Sequence, residues 1–168
     1  MKTSDVLIDT FGRVREIVGH VVDGLTVEQL MYRPGRDANS IAWLVWHLTR
    51  IEDDHMSDLR GTEQVWTAQG WINRFGLPYD ASATGYGFTS VEVAACRVDP
   101  PVLLVDYHEA VHEQTVGYLE TIDEAELDRI VDTSWDPPVS AGVRLVSVVA
   151  DTLEHVGQAA YVRGLLEI

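Results

Sequence analysis

Apolar side chains recur at three- and four-residue spacing along four stretches of the chain, which is the pattern of an amphipathic α-helix. The first stretch runs from about residue 4 to residue 22, and its apolar stripe is Leu7, Phe11, Val14, Val18 and Val21. The second begins at Ser40, a residue type that favours the N-cap, and ends at Arg60 before Gly61. Both stretches therefore predict long helices with one buried face.

The other two stretches lie in the second half of the chain. The third starts near Pro101, which suits the first turn of a helix, and ends near Glu120. The fourth starts after Ser140 and ends near Leu166. Almost no segment alternates with the period of two that indicates a strand. We therefore predict an all-α fold, a four-helix bundle, formed by a single domain over residues 1–168.

Residues 61–100 form a long irregular connection between the second and third predicted helices. The segment is rich in glycine and aromatic residues, and Thr89-Ser-Val-Glu92 offers a capping box for a short helix that continues to Arg97. A structureless loop of this length is unusual in a compact domain, and such segments often cover functional sites. We expect this connection to lie over the site.

Charge and cysteine content exclude several classes of partner. The chain has 12 Lys and Arg against 27 Asp and Glu, a net charge of −15, which argues against nucleic acid and anionic membrane surfaces. The single cysteine, Cys96, cannot form a disulfide within the chain. With no signal-peptide pattern and no apolar run of membrane-spanning length, we expect a cytoplasmic protein.

Two sets of side chains have the spacing of metal ligands. Asp151 and His155 lie four residues apart on the fourth predicted helix, and His47 on the second could complete a site with three protein ligands. Three protein ligands leave a coordination position open, as in catalytic metal sites. The rival is His108 and His112 on the third helix, which have the same i, i+4 spacing. Spacing alone does not separate the two sets.

Further residues are candidates for the lining of a cavity near such a site. They are Trp43, one turn before His47, His55, on the predicted buried stripe of the second helix, and His108. A ligating imidazole usually donates its second ring N–H to an acceptor, and Glu52 and Glu154 are expected as such acceptors. The sequence identifies no catalytic residue: it contains no nucleophile elbow, Walker A loop or HExxH motif.

Three segments together resemble the DinB-like superfamily of four-helix metalloproteins. They are Leu25-Thr-Val-Glu-Gln-Leu-Met-Tyr-Arg-Pro-Gly35, Asn39-Ser-Ile-Ala-Trp-Leu-Val-Trp-His47-Leu and Glu154-His155-Val-Gly-Gln158-Ala-Ala-Tyr-Val-Arg163. The resemblance covers essentially the whole chain and implies a divalent metal, zinc most often or nickel, held by His47, Asp151 and His155. Asp151 stands where most members have histidine, although related mycothiol-dependent maleylpyruvate isomerases have a glutamate there. His108 and His112 match no ligand position of the family.

The resemblance also implies a function. The superfamily includes S-transferases that use mycothiol or bacillithiol. The composition, rich in Val, Ala, Asp and Arg and poor in Lys, is similar to that of proteins from high-GC actinobacteria, which favours mycothiol as the implied cosubstrate. The expected activity is attack of a metal-bound thiolate on a small electrophile, as in detoxification, by a protein that could be a homodimer. The alternatives are a metal-dependent hydrolase or isomerase acting at the same site, and a non-enzymatic, stress-related binding protein.

Overall fold

The computed structural model describes residues 2–166, so residues 1, 167 and 168 of the predicted domain lie outside the described residues. In this part of the chain the helices are α1 (Thr3–Val22), α2 (Val27–Leu30), α3 (Ile41–Arg60), α4 (Val65–Ala68), α5 (Trp71–Phe75), α6 (Ser90–Ala94), α7 (Val102–Leu119), α8 (Glu124–Asp128) and α9 (Ala141–Gly164). Strands β1 (Ile130–Asp132) and β2 (Val139–Ser140) lie between α8 and α9. The four long helices α1, α3, α7 and α9 confirm the predicted all-α bundle.

The long helices are arranged in a ring. Helix α3 packs against α7 and α9, and α1 packs against the same two helices from the opposite side. The contact between α3 and α9 is the most extensive in the bundle. The second and fourth predicted helices are therefore neighbours, which any site shared by them requires.

Local sequence sets the ends of the helices that matter for the site. The Ser40 side chain accepts a hydrogen bond from the backbone N–H of Trp43, and Ser140 caps α9 through Val143 in the same way. Gly61 caps the C-terminal end of helix α3 in a left-handed conformation (φ 64°), which few other residue types adopt at low cost. The predicted bounds of both helices hold to within two residues.

The connection between α3 and α7 is more ordered than the sequence indicated. It contains the short helices α4 and α5 as well as α6, whose capping box Thr89–Glu92 was predicted. Helix α6 ends at Ala94, earlier than the expected Arg97. The region between α7 and α9 also differs, because α8 and an antiparallel β1–β2 pair occupy it. These strands are too short to produce a readable alternation.

The interior contains an unusual buried ion pair that joins this connection to α3. Arg50 and Asp53, one turn apart on α3, are both almost completely buried. Asp53 accepts hydrogen bonds from the backbone N–H groups of Val65 and Trp66 at 2.8 Å each, and from the Tyr107 hydroxyl at 2.7 Å. It therefore holds the first turn of α4 and one residue of α7 at the same time.

Arg50 fixes the later part of the connection. Its guanidinium donates to the carbonyl of Ala83 at 3.2 Å and to Gln64 Oε1 at 2.8 Å, and lies 5.1 Å from the Trp66 ring centre. A buried guanidinium needs such acceptors because its charge is costly to remove from water. The segment around residue 83 is thereby held against the middle of α3.

None of the helices in residues 2–166 is both long enough and apolar enough to cross a membrane.

Replacement of Asp53 by alanine should destabilise the fold strongly. The change leaves Arg50 buried without its carboxylate and leaves two backbone N–H groups without an acceptor, so we expect the free energy of unfolding to fall by about 3–5 kcal/mol. Urea denaturation followed by circular dichroism measures this loss. The control is Asp9→Ala, which removes an exposed partner of Arg13 and should change stability by less than about 1 kcal/mol. Equal losses in the two variants would contradict the role given to Asp53.

Candidate metal centre

His47, Asp151 and His155 lie together between α3 and α9. Each offers one potential ligand atom, and these three atoms lie within 4.8 Å of one another. The rings of His47 and His155 have their centres 4.7 Å apart, and His155 Nε2 lies 3.6 Å from Asp151 Oδ1. His47 is buried, while the other two side chains are partly accessible. The fold therefore brings together residues that are about a hundred positions apart in sequence.

The Nδ1 atoms of both histidines make hydrogen bonds. His47 Nδ1 lies 2.6 Å from the carbonyl oxygen of Thr84, and His155 Nδ1 lies 3.1 Å from Gln158 Oε1. Since both acceptors are oxygens, each Nδ1 carries the proton and each Nε2 keeps its lone pair free. Burial lowers the pKa of His47, which favours the neutral ring that a metal requires.

The acceptors were not the ones predicted from sequence. Glu154 is exposed on α9, and Glu52 accepts a hydrogen bond from the Thr115 hydroxyl on α7 and none from His47 or His155. Gln158 could have been identified as an acceptor from the sequence, because it follows His155 by three residues on the same helix and is part of the family motif. Thr84 could not have been identified in this way, because the conformation of the connection, and not the residue type, positions its backbone carbonyl.

Asp151 contains the clearest indication that the cluster is incomplete by itself. Its Oδ2 is buried and has no hydrogen-bond partner among the described residues. A buried carboxylate oxygen without a donor is costly, and an ion or an ordered water is the usual explanation. The donor set of two neutral imidazoles and one carboxylate suits a divalent cation such as zinc. The three side chains therefore fit a divalent metal.

The candidates for the cavity lining have different surroundings. Trp43 stacks on His47 with ring centres 4.5 Å apart and 14° between planes, and it touches the edge of His155. His55 is half-buried, two turns further along α3, and its pKa is lowered first by burial and then by Arg144. Trp43 is therefore in direct contact with the cluster, whereas His55 lies further along the same helix.

His108 does not belong to the cluster, which corrects its choice as a lining candidate. It is buried on α7 with its Nε2 3.7 Å from Glu52 Oε2, and burial lowers its pKa to about 3. Its sequence partner His112 is also buried, with ring centres 6.3 Å apart. Among residues 2–166 this pair has no third potential ligand close enough to form a metal group. The pair is better explained as part of the bundle core.

Gly85 makes the closest approach of the connection to the site. Its φ of +95° is a conformation that residues with a side chain rarely adopt. A Cβ added there would lie 2.9 Å from His47 Nδ1, 3.0 Å from Trp46 and 3.2 Å from Trp43. Residue 85 therefore has to be glycine for the Thr84 carbonyl to reach the His47 ring.

Gly85→Ala should weaken the affinity of the site for Zn²⁺ by about 10–100-fold, because the added methyl group displaces the His47 ring or its acceptor. Gly87→Ala is the matched control: Gly87 also has a positive φ, 72°, but an added Cβ meets no atom within 4 Å. Both variants should lose about 1–3 kcal/mol of stability from backbone strain, and only Gly85→Ala should lose metal affinity. Competition titration with a chromogenic chelator measures it. Equal zinc affinities in the two variants would contradict the close contact.

The Glu52 carboxyl predicts a pH dependence of stability. Burial raises its pKa from 4.5 to about 7, so the unfolded chain releases this proton at lower pH than the folded protein does. Stability is therefore lost as pH rises from about 4.5 to 7, on the order of 3 kcal/mol in total. Glu52→Gln keeps an acceptor for Thr115 and removes the titration. The free energy of unfolding of Glu52→Gln minus that of the wild type should therefore increase by about 3 kcal/mol between pH 4 and pH 8. If urea denaturation gives the same difference at every pH, the pKa of Glu52 is not raised.

Comparison with known proteins gives the family context. The family model described as mycothiol S-transferase matches residues 6–167. A crystal structure described as a conserved protein from Enterococcus faecalis is 33% identical, with a TM-score of 0.92, and the match covers 98% of this chain and 97% of that one. A search of curated proteins found no match.

Proposed function

The chain belongs to the mycothiol S-transferase family, a DinB-like family, as the sequence motifs predicted, and we propose that it is a metal-dependent enzyme. The reaction proposed is transfer of a low-molecular-weight thiol, mycothiol, to a small electrophile. The observations that carry the proposal are the convergence of His47, Asp151 and His155 and the buried, unpartnered Oδ2 of Asp151. The proposed setting is detoxification in the cytoplasm.

His47, Asp151 and His155 would hold the metal, with Zn²⁺ the expected ion and Ni²⁺ the alternative. When bound, a divalent cation supplies positive charge that lowers the pKa of a thiol, so that the nucleophilic thiolate exists at neutral pH. Two neutral imidazoles and one carboxylate leave part of that charge uncompensated. The Thr84 and Gln158 oxygens hold both rings in the tautomer with Nε2 free.

The protein has no thiol of its own that could take the nucleophile's role. Cys96 is the only cysteine of the sequence, and it is completely buried. Burial raises the pKa of its thiol to about 12, so that almost none of it is thiolate at neutral pH. The nucleophilic sulfur therefore has to come from a cosubstrate, as the family description implies.

Trp43 of α3 and the connection between α3 and α7 enclose one side of the proposed site. Trp43 lies against both histidines, and the Gly85 backbone covers the His47 ring. Because these groups exclude water from one side of the cluster, electrostatic interactions there are stronger than at the surface. The partly accessible side of Asp151 and His155 is left for the thiol and the electrophile.

The experiment combines metal analysis with a conjugation assay. Purified protein should contain close to one transition-metal ion per chain after reconstitution, and it should accelerate the reaction of mycothiol with a bimane electrophile. His155→Ala removes a proposed ligand and should abolish metal binding and lower the conjugation rate by at least about 100-fold. Elemental analysis and bimane fluorescence measure the two effects.

His112→Ala is the control, because it removes the rival histidine from the core. It should retain the metal and the activity, with circular dichroism to verify that both variants fold. Loss of metal in His112→Ala but not in His155→Ala would move the site to α7. If the protein binds metal but does not accelerate the conjugation of mycothiol, and instead hydrolyses a substrate when mycothiol is absent, the alternative function of a metal-dependent hydrolase would be favoured over that of a transferase.

A further inference from the structure

The side of α9 that points away from the bundle, its outward face, consists of apolar and small residues. They are Val143, Val146, Ala150, Leu153, Gly157 and Tyr161, and all of them are exposed. The exposed fraction is 64% for Val146 and 69% for Tyr161. Since the opposite side of α9 is packed in the core, the helix is apolar on two sides. A helix with this pattern is usually covered on both of them.

Charge separates this face from the other outward faces of the bundle. Among the described residues of α9 the only exposed charged residue is Glu154, and it lies at the edge of the face. Helices α1 and α7 expose charged residues instead, for example Asp9 and Arg13 on α1 and Glu113 on α7. With 27 acidic and 12 basic residues, the chain repels its own copies over most of its surface. At the outward face of α9 two copies can meet without burying a charge.

The residues of this face recur at intervals of seven along the helix. One series is Val143, Ala150 and Gly157, and the other, three residues further on, is Val146, Leu153 and Ala160. Two apolar series with this spacing are the heptad pattern of a helix that pairs with another helix along its length. The bundle itself does not use this pattern, because the series lies on the side of α9 that faces solvent.

Two copies of the face fit each other when the two helices run antiparallel. With a two-fold axis between residues 151 and 152, the facing pairs are Val146 and Gly157, Ala150 and Leu153, and Val143 and Ala160. Each pair joins a larger side chain to a smaller one, and the symmetry forms each pair twice. A Cβ added at Gly157 meets no atom within 4 Å among the described residues, so there is room for a side chain from the second copy. This match of the face with itself favours a second copy of the chain over an unrelated partner.

The face is large enough for a stable pair. From Val143 to Tyr161 the helix extends over about 27 Å. The apolar residues and the polar side chains along their edge, Ser147, Glu154 and Gln158, expose roughly 700 Å² per copy, close to the area that each partner buries in a standard specific interface. A pair would then bury roughly 1,400 Å² in total, which is more than most chance contacts between proteins bury.

We propose that two copies of the protein associate through the outward faces of α9, with the two helices antiparallel about a two-fold axis. Asp151 and His155 lie on the side of α9 that faces His47 of α3, so they are outside this interface. The association therefore leaves the accessible side of the candidate metal centre open, and it does not depend on the proposed function.

Sedimentation velocity of the full chain measures the association. The wild type should sediment at micromolar concentration with twice the chain mass of 18.7 kDa. Val146→Glu places two unpaired carboxylates in the interface and should raise the Kd of the pair at least about 100-fold, so that the variant sediments as a single chain. The matched control is Val6→Glu, the same change at a valine of α1 that is 49% exposed, and it should pair like the wild type.

Cross-linking tests the antiparallel arrangement. In the proposed pair, position 146 of one copy lies opposite position 157 of the other, whereas two identical positions are separated by about 16 Å along the helix axis. A mixture of the Val146→Cys and Gly157→Cys proteins, after exchange of chains, should form covalent dimers with a short bismaleimide linker. Either variant alone should form few. The native Cys96 is buried and does not react.

The proposal is wrong if the wild type sediments as a single chain at all concentrations, or if Val146→Glu pairs as tightly as Val6→Glu. Circular dichroism verifies that the variants fold. If Val146→Glu does not, Ala150→Glu on the same face takes its place and should also be a single chain. Cross-linking that is no greater in the mixture than in the single variants would overturn the antiparallel order. These measurements need neither metal nor thiol, so their failure is distinguishable from failure of the proposed transferase activity.

Discussion

Asp53 accepts hydrogen bonds from two backbone N–H groups of α4 and from the Tyr107 hydroxyl, in the interior of the protein and one turn from Arg50. Arg50 in turn donates to the carbonyl of Ala83, which precedes Thr84 by one residue. A bundle of four helices can form without such a pair. The segment between α5 and α6, however, contains no helix or strand, and Arg50, the partner of Asp53, holds it over His47 through the carbonyls of Ala81 and Ala83.

The three side chains of the candidate metal centre are consequently oriented in two different ways. His155 and Asp151 share a helix, and Gln158 on that helix orients His155, so this half is rigid wherever α9 is formed. His47 is oriented by the connection instead, through the Thr84 carbonyl and the close approach of Gly85. Changes in the connection therefore affect one ligand candidate and leave the other two in place.

The sequence predicts the fold well because the four long helices have clear periodicity and recognisable ends, such as Ser40 and Ser140. The grouping of His47, Asp151 and His155 was also expected, but spacing alone left His108 and His112 as equals. The family motifs separated them, and the burial of His108 beside Glu52 explains its presence in the core. The role of the three residues as metal ligands stays a prediction.

What could not be predicted depends on long-range contacts between irregular segments. Nothing near Thr84 in sequence indicates that its carbonyl meets a ring 37 residues earlier, and Arg50 has the pattern of an ordinary surface residue on an amphipathic helix. The β1–β2 pair is held by only a few residues and by its neighbours in space. In each case the tertiary environment decides the structure, and local propensity contributes little.

The hydrogen bond to His47 comes from a main-chain oxygen, and every amino acid has that oxygen. Substitutions at position 84 can therefore change the side chain freely while the orientation of the imidazole is kept. The positions that are sensitive are its neighbour, Gly85, and the distant Arg50, which determine the path of the backbone. Direct contact with His47 is therefore a poor guide to tolerance of mutation. Thr84, which contacts the ring, can be replaced, whereas Gly85 and Arg50, which determine the path of the backbone, are constrained.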